Sequence, residues 1–186
     1  MSDTRDHDAR LGHVHGRFQP FHREHRAYAA WAADECDRLV VGITNADPSH
    51  VTEEDADPKR HQPRHNPFRY HERHRMVRVA LADFEIPVDV MPFPINRPDL
   101  WDDYAPVDAV HYVNVLEDWH AVKADRLREH GRRVETKRGT RTVSGTDIRR
   151  RMAADENWTA DVPDPVVEVV RDIGGSERVR ELWEGE

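Results

Sequence analysis

Short apolar segments of strand length alternate along this chain with segments whose apolar residues recur every three or four positions. The first kind is typical of a β-strand covered on both faces, as in Arg38–Thr44, and the second kind is typical of a helix. Strands that alternate with helices pair in parallel, because each helix carries the chain back across the sheet. The pattern therefore predicts an α/β fold. The predicted strands are 11–16, 38–44, 87–93, 108–113 and 132–136.

The predicted helices lie between and after these strands, so they cover both faces of a doubly wound, Rossmann-like parallel sheet and add helices at the C-terminal end. Asn66 is expected to cap the second helix, with Pro67 as its first residue. Gly131 is expected to end the helix before the fifth strand. Ser144 is expected to cap the next helix, with Asp147 three residues on. The predicted helices are 21–36, 66–84, 117–130, one starting at 144, 165–172 and 176–183.

The domain organisation predicted from the sequence is simple. Residues 1–10 form a polar tail, and residues 11–186 form one domain, the length at which a single core is expected. Residues 45–65 form a long polar loop with several prolines and a cluster of carboxylates at 53–57. Loops of this length are uncommon in compact domains, so this one is expected to be a lid or an insertion.

Composition excludes several classes of protein. No apolar run is long enough to cross a membrane, and the charged N-terminus has no signal-peptide pattern. A single cysteine, Cys36, suits a reducing compartment, so we expect a cytoplasmic protein. The net charge of -8 disfavours nucleic acid as a partner. Arginine outnumbers lysine by 25 to 3 and Asp exceeds Glu by 21 to 15, which suits either a high-salt cytoplasm or a GC-rich genome.

The segment from Gly16 to His25 carries the strongest chemical signal. Gly16 ends a predicted strand where a phosphate could reach the backbone, and Arg17 follows it directly. His22 and His25 share one face of the first helical turn, where N–H groups and the helix dipole attract an anion. We therefore predict a phosphate site. Taken alone, the two histidines could equally be surface residues or bind zinc, but no thiolate or carboxylate ligands stand at a recognised spacing, so no metal site is predicted.

Several motifs together resemble the nucleotidylyltransferase superfamily. The segment Gly-Arg-Phe-Gln-Pro-Phe-His at 16–22 resembles the archaeal type of nicotinamide-mononucleotide adenylyltransferase, whose helix begins His-x-Gly-His. The segment Ser-Gly-Thr-Asp-Ile-Arg at 144–149 resembles the second signature, Ser-x-Thr-x-Ile-Arg. Between them, Asn66-Pro67-Phe68 with Glu72-Arg73 resembles a third family segment, and Ser49-His50 resembles the end of the loop after the second strand. The resemblance covers about residues 11–175.

The resemblance implies transfer of the adenylyl group of ATP to nicotinamide mononucleotide, giving NAD⁺ and pyrophosphate. The residues it implies for catalysis are Arg17, His22, His25 and Arg149. For ATP binding it implies Gly16, Arg17, Phe18, His22, His25, Ser144, Thr146 and Arg149. For the mononucleotide it implies Asn66, Arg73 and Trp101, the last by stacking near the nicotinamide ring. Mg²⁺ is expected to be carried on the ATP phosphates, and relatives of this type are often homo-oligomers.

The chain departs from the family at informative positions. Glu24 replaces the glycine of His-x-Gly-His, which lets the ribose and base approach the helix, and His71 replaces the glycine before Glu-Arg. The stretch 94–101 is one residue short. A nucleotidyltransferase with another phosphorylated acceptor and a non-catalytic nucleotide-binding regulator therefore stay open. So do the plainer interpretations of Ser144 as only a helix cap and of Trp101 as only a core residue.

Overall fold

In the computed structural model, which describes residues 9–51 and 61–185, the strands form one five-stranded parallel sheet in the order β3-β2-β1-β4-β5. The chain runs outward from β1 to β3 and then returns to the other side of β1, which makes the sheet doubly wound. The predicted α/β, Rossmann-like fold is confirmed. The strands are β1 (Leu11–Gly16), β2 (Arg38–Ile43), β3 (Val88–Pro92), β4 (Val110–Val115) and β5 (Arg133–Arg138).

Seven helices connect and follow these strands in the described part of the chain. Six correspond to predicted helices, whereas the four-residue α3 was not predicted, because so short a segment shows no helical periodicity. The helices are α1 (Arg23–Ala33), α2 (Tyr70–Ala80), α3 (Trp101–Tyr104), α4 (Asp118–Glu129), α5 (Gly145–Ala153), α6 (Asp164–Asp172) and α7 (Gly175–Glu184).

The predicted start of α2 at Asn66–Pro67 is wrong. The helix begins at Tyr70, and its N-cap is Arg69, whose backbone N–H donates to Glu72 Oε2 at 2.8 Å. The backbone of Phe68 is instead bound by a side chain from the turn after β1, which keeps residues 66–69 out of the helix. A tertiary contact therefore overrides the local capping signal of Asn66.

Two other capping predictions are confirmed. Gly131, which follows α4, has a φ of +76°, a left-handed conformation that glycine adopts without a steric penalty. Ser144 is the N-cap of α5, and its Oγ accepts a hydrogen bond from the backbone N–H of Asp147 at 3.1 Å. This cap fixes where α5 starts, which becomes important for the site below.

The apolar core lies on both faces of the sheet. On one face Val14, Met76 and Ile148 belong to a large cluster built with α1, α2 and the C-terminal helices. On the other face Phe93 and Leu127 belong to a smaller cluster built with α3 and α4. Within the described residues, no helix is long and apolar enough to cross a membrane.

The predicted loop at 45–65 is only partly described. It contains two short 3₁₀ turns, Pro48–His50 and Pro63–His65. The carboxylate cluster at 53–57 and residues 1–8 of the predicted polar tail lie outside the described residues.

Candidate active site

The turn between β1 and α1 lies at the carboxyl edge of the sheet, where parallel α/β proteins bind ligands. A Cβ added to Gly16 would lie 2.6 Å from the Phe18 ring, so only glycine fits there. Phe18 has a φ of +56°, and its ring is buried against Phe21 at a centroid distance of 5.1 Å. Of the predicted nucleotide-binding residues, Phe18 therefore offers its backbone rather than its side chain.

Gln19 holds this turn against the segment before α2. Its side-chain amide donates to the carbonyl oxygen of Phe68 and accepts from the N–H of Phe68, both at 2.9 Å. The residue is buried, so these two hydrogen bonds satisfy the amide inside the core. The sequence analysis missed Gln19, because nothing in its local pattern announces a contact 49 residues away.

Arg73 is a second anchor of the same turn. Its guanidinium donates to the carbonyl oxygens of Arg17 at 2.8 Å, of Thr44 at 2.7 Å and of Asn45 at 2.7 Å. The side chain is only 2% exposed. Arg73 therefore joins the residues that follow β1 to those that follow β2, and it positions the turn between β1 and α1. The structure does not bring it to an open mononucleotide surface.

His22 and His25 lie at the start of α1, as predicted. His22 is the N-cap, and its backbone N–H donates to Nδ1 of His25 at 3.2 Å. The two rings stack with their centroids 3.5 Å apart. Because Nδ1 of His25 accepts a hydrogen bond, the neutral ring carries its proton on Nε2, which makes that nitrogen a donor.

Burial keeps both imidazoles neutral. It lowers the pKa of His22 to about 4, a fall that nearby Glu24 opposes and Arg141 reinforces. Burial also lowers the pKa of His25 well below its usual value, with His22, Arg141 and Arg17 adding to the effect. The arginines create a positive field around these histidines, which is the environment that a polyphosphate requires.

This burial predicts that acid destabilises the fold. Between pH 6.5 and about 4 the unfolded chain protonates His22, whereas the folded chain does not, so stability falls as pH is lowered through that range. The loss attributable to His22 is expected to be about 2–3 kcal/mol. Urea unfolding of wild type and His22→Asn at pH 7 and pH 4.5 measures it. A variant whose pH dependence equals that of wild type would contradict the assignment.

The start of α5 packs directly against the turn before α1. A Cβ added to Gly145 would lie 2.9 Å from the carbonyl oxygen of Gln19. Arg149, which is buried, donates to the same carbonyl oxygen and to Thr146 Oγ1 at 3.1 Å. The two signature motifs, more than 110 residues apart in sequence, therefore meet with both helix N-termini at one edge of the sheet.

Glu24, the departure from the family pattern, joins the two motifs. One carboxylate oxygen accepts hydrogen bonds from Thr142 N–H at 2.7 Å, Thr142 Oγ1 at 2.5 Å and Val143 N–H at 3.2 Å. Partial burial opposes ionisation, but these hydrogen bonds hold the pKa of Glu24 below its usual value. The side chain therefore extends across the gap between α1 and the segment before α5.

The remaining predicted substrate residues divide into two groups. Arg17 donates to Asn66 Oδ1 at 3.3 Å, so the structure brings this predicted pair together at the site. Trp101 is 1% exposed, packs against Phe93 and His130, and donates through Nε1 to the carbonyl oxygen of Pro94 at 3.0 Å. Its ring has no open face for a nicotinamide in this structure, so the position corresponds to the core alternative considered above.

A cleft of about 120 Å³ lies beyond the carboxyl ends of β2 and β3. One of its lining residues, Asn45, shares the Arg73 guanidinium with Arg17 of the predicted phosphate turn between β1 and α1. Trp101 is not among its lining residues. Cavities that hold drug-sized ligands are about 300–1,000 Å³, so this cleft suits a smaller molecule. It is lined by Asn45, Ala46, Asp47, Pro92, Phe93, Pro94, Ile95, Asn96, Arg97 and Tyr104.

The sequence analysis also missed Arg141. This residue lies in the loop between β5 and α5, contributes to the positive field at His22 and His25, and forms an ion pair with Glu117 at 3.3 Å. Three other basic residues, at 133, 137 and 138, come shortly before it. A run of basic residues directly before a predicted phosphate-binding helix is the signal that could have identified it.

A glycine-ended strand, two stacked histidines and a second helix N-terminus meet at the carboxyl edge of a Rossmann-like α/β protein. The chain belongs to the cytidylyltransferase-like family, whose sequence model matches residues 14–151. It is a nucleotidyltransferase.

The chain is similar over almost its whole length to relatives of two kinds. It is 41% identical to phosphonoformate cytidylyltransferase of Streptomyces viridochromogenes, over 92% of this chain and 96% of that protein. It is 31% identical to nicotinamide-nucleotide adenylyltransferase of Haloarcula marismortui, over 90% and 84%. It is 36% identical to the adenylyltransferase of the same name from Methanosarcina barkeri, over 90% and 91%.

A solved structure supports the fold. The bifunctional NMN adenylyltransferase/ADP ribose pyrophosphatase of Francisella tularensis matches with a TM-score of 0.60 at 12% identity. The match covers 96% of this chain but only 57% of that longer protein. At this level of identity the likeness bears on the fold alone.

Proposed function

We propose that the protein transfers a cytidylyl group from CTP to a small acid bearing a phosphonate or phosphate, with release of pyrophosphate. The observation that carries this proposal is Glu24, whose carboxylate bridges α1 and the segment 142–143. In the family the corresponding glycine leaves room for the base. A glutamate here both narrows that space and supplies a hydrogen-bond acceptor.

The hydrogen-bond acceptor supplied by Glu24 suits the base edge of cytosine. Cytosine and adenine each carry an exocyclic amine that donates to a carboxylate, whereas uracil and guanine carry a carbonyl oxygen at the equivalent position. The carboxylate therefore selects against UTP and GTP, and the choice between CTP and ATP rests on the narrowed space. With CTP bound, the donor is the cytosine amine. When that amine takes over the Glu24 carboxylate, the N–H groups of Thr142 and Val143 become available to the ring nitrogen and carbonyl of cytosine. A pyrimidine also needs less space than a purine. The similarity to a cytidylyltransferase at 41% identity supports the same choice.

The small cleft beside the phosphate turn supports a small acceptor. Its volume of about 120 Å³ suits an acid of a few heavy atoms such as phosphonoformate, the compound in the name of the 41% identical relative. Arg97, which is paired with Asp99, and the amides of Asn45 and Asn96 line it and are the groups that we assign to the anion. The acceptor's phosphonate oxygen would then lie next to the triphosphate held by the turn.

In the proposed reaction that oxygen attacks the α-phosphorus of CTP in line, and pyrophosphate leaves without a covalent enzyme intermediate. The protein's work is positioning and stabilising charge. His22, His25, Arg17, Gly16 and the Phe18 backbone would bind the phosphates from the side of α1. Ser144, Thr146 and Arg149 would bind them from the side of α5, while Asn66 and Arg73 hold the turn in shape.

Nucleotidyltransferases of this kind use a divalent cation with the nucleotide, and we propose Mg²⁺ in this role. Within the described residues the site offers histidines, arginines, hydroxyls and backbone N–H groups, while the carboxylates of Glu24 and Asp147 already accept hydrogen bonds. Mg²⁺ prefers oxygen ligands and keeps several waters. It would therefore be held mainly by the phosphate oxygens, and its charge would offset that of the leaving pyrophosphate.

Transfer of an adenylyl group from ATP to nicotinamide mononucleotide is the second candidate. The contact between Arg17 and Asn66 favours it, since the segment that resembles the family's mononucleotide motif does reach the phosphate turn. The adenylyltransferases at 31–36% identity support it as well. The buried Trp101 and the small cleft weigh against it.

Pyrophosphate release tests the choice. CTP, ATP, UTP and GTP are each combined with phosphonoformate, other small phosphonates, phosphate esters and nicotinamide mononucleotide, at low and high salt. We expect turnover with CTP and a small phosphonate. Turnover only with ATP and nicotinamide mononucleotide would instead support the second candidate. Nucleotide binding without turnover on any acceptor would indicate a regulator. The salt arms test the high-salt origin suggested by the composition.

A further inference from the structure

Three histidines lie together in the core beside the site, and the proposed reaction uses none of them. His13 and His15 are two residues apart on β1, so their side chains project from the same face of the sheet. His111 on β4 is the register partner of His13. The ring centroids of His13 and His111 are 4.5 Å apart, and those of His13 and His15 are 6.0 Å apart.

These imidazoles are buried without hydrogen-bond partners. His13 and His111 are 0% exposed and His15 is 7% exposed. Both ring nitrogens of His13, both of His111 and Nδ1 of His15 are buried with no partner in the protein. Buried polar atoms are nearly always satisfied, so this cluster of unsatisfied nitrogens, in which each ring can offer one atom to a shared ion, points to a ligand that is not protein.

From this geometry we infer that His13, His15 and His111 bind a zinc ion. One nitrogen from each ring lies within 4.8 Å of the others. Nitrogens that share a tetrahedral zinc at about 2.0–2.1 Å are roughly 3.4 Å apart, so small rotations of the rings would complete the set. Three histidines with an open fourth position are a known zinc ligand set, and neutral imidazole is the form that binds.

The surroundings of the cluster are an aromatic ring and basic side chains. The Phe93 ring covers the cluster, at 4.6 Å from His13 and 5.4 Å from His15. The buried guanidinium of Arg132 lowers the pKa of His111 and opposes a cation, but its pairing with Asp102 at 2.5 Å offsets that charge. On the other side Lys123 and His120 of α4 approach His15. The borderline-soft zinc ion, which nitrogen ligands favour, fits this apolar setting better than Mg²⁺ or Ca²⁺.

The position of the cluster between β1 and β4 indicates a structural role for the ion. β1 and β4 pair through only two register positions, Gly12 with Val110 and His13 with His111, whereas β1 and β2 pair through six. The strands therefore separate directly after His13, at the switch point of the sheet. A zinc ion on both strands would hold this opening at a set width, and His15 is adjacent to Gly16 of the phosphate turn.

The test uses the full-length protein without nucleotide, so that no metal is carried on phosphates. Metal-depleted protein is titrated with Zn²⁺ and, separately, with Co²⁺, and bound metal is measured by mass spectrometry. We expect about one zinc per chain, a higher Tm with zinc, and a Co²⁺ absorption spectrum typical of tetrahedral nitrogen ligation. His13→Gln and His111→Gln should each weaken zinc binding at least 100-fold. The double variant His71→Gln/His74→Gln, on α2, is the matched control and should bind normally.

Less than about 0.1 zinc per chain in folded wild-type protein would overturn the inference, as would normal binding in the His13 and His111 variants. If those variants do not fold, X-ray absorption spectroscopy of the wild-type zinc complex tests the inference. The spectrum shows whether three imidazole ligands coordinate the zinc, and their absence would overturn the inference. None of these measurements depends on turnover. The zinc site and the proposed cytidylyl transfer can therefore fail independently.

Discussion

Replacing His25 with asparagine is expected to lower kcat by about 100- to 1,000-fold, the usual cost of removing one donor from a transition-state site. Nδ1 of His25 accepts the N–H of His22, which leaves Nε2 as the donor, and the proposed function assigns this donor to the phosphates. Asparagine can still accept that hydrogen bond through its side-chain oxygen, so the start of α1 is preserved. The donor at the Nε2 position is lost.

Steady-state kinetics with the preferred nucleotide, together with urea unfolding, separates catalysis from folding. KM for the nucleotide should change only a few-fold, and the free energy of unfolding should fall by less than about 1 kcal/mol. His71→Asn, an exposed histidine on α2, is the control and should match wild type. A His25→Asn variant with wild-type kcat would show that the ring has no role in charge stabilisation.

Replacing Glu24 with glycine is expected to shift the nucleotide preference from CTP toward ATP by about 10- to 100-fold in the ratio of kcat/KM. Recognition of one base edge by a well-placed side chain is worth about 1–3 kcal/mol. Glycine removes the acceptor for the cytosine amine and opens space for a purine. It also frees the N–H groups of Thr142 and Val143, which Glu24 now engages.

Glu24→Gln separates the effect of the carboxylate as a hydrogen-bond acceptor from the effect of the side-chain volume. Glutamine keeps nearly the same volume but replaces one carboxylate oxygen with a donor, so kcat/KM with CTP should fall about tenfold without any gain with ATP. Competition assays with mixed CTP and ATP measure both variants, and Glu129→Gln at the exposed end of α4 is the control. If Glu24→Gly left the preference unchanged, Glu24 would only tie the segment 142–143 to α1.

The fold was predictable because its signals are local. A continuous apolar run at 38–44 and helical spacing in its neighbours are visible within windows of about ten residues, and their alternation predicts a parallel sheet. The order of the strands within the sheet was not predicted. The predicted start of α2 was wrong because the contact that sets it is not local. Asn66 carries a sound local capping signal, but Gln19, 47 residues earlier, binds the backbone of Phe68 and keeps it out of the helix. Local propensity is weaker than two buried hydrogen bonds.

The candidate site was predictable in its outline. The segments at 16–25 and 144–149 carry residue types that suit phosphate, and the structure brings them to one edge of the sheet. The individual roles were not predictable to the same degree. Arg73 and Trp101 have the residue types of substrate contacts, yet burial assigns the first to three carbonyl oxygens and the second to the core.

The sequence by itself determined the parallel sheet, the alternation of strands and helices along the chain, and a first turn whose residue types suit phosphate, because these follow from periodicity and residue type. Only the tertiary structure decided which groups share one space. It places the Glu24 carboxylate within hydrogen-bond distance of Thr142 and buries Trp101 in the core. It also brings together His13, His15 and His111, whose buried ring nitrogens include five without a hydrogen-bond partner in the protein. Such contacts depend on strand register and helix packing, which join residues about a hundred positions apart and leave no trace in a local window.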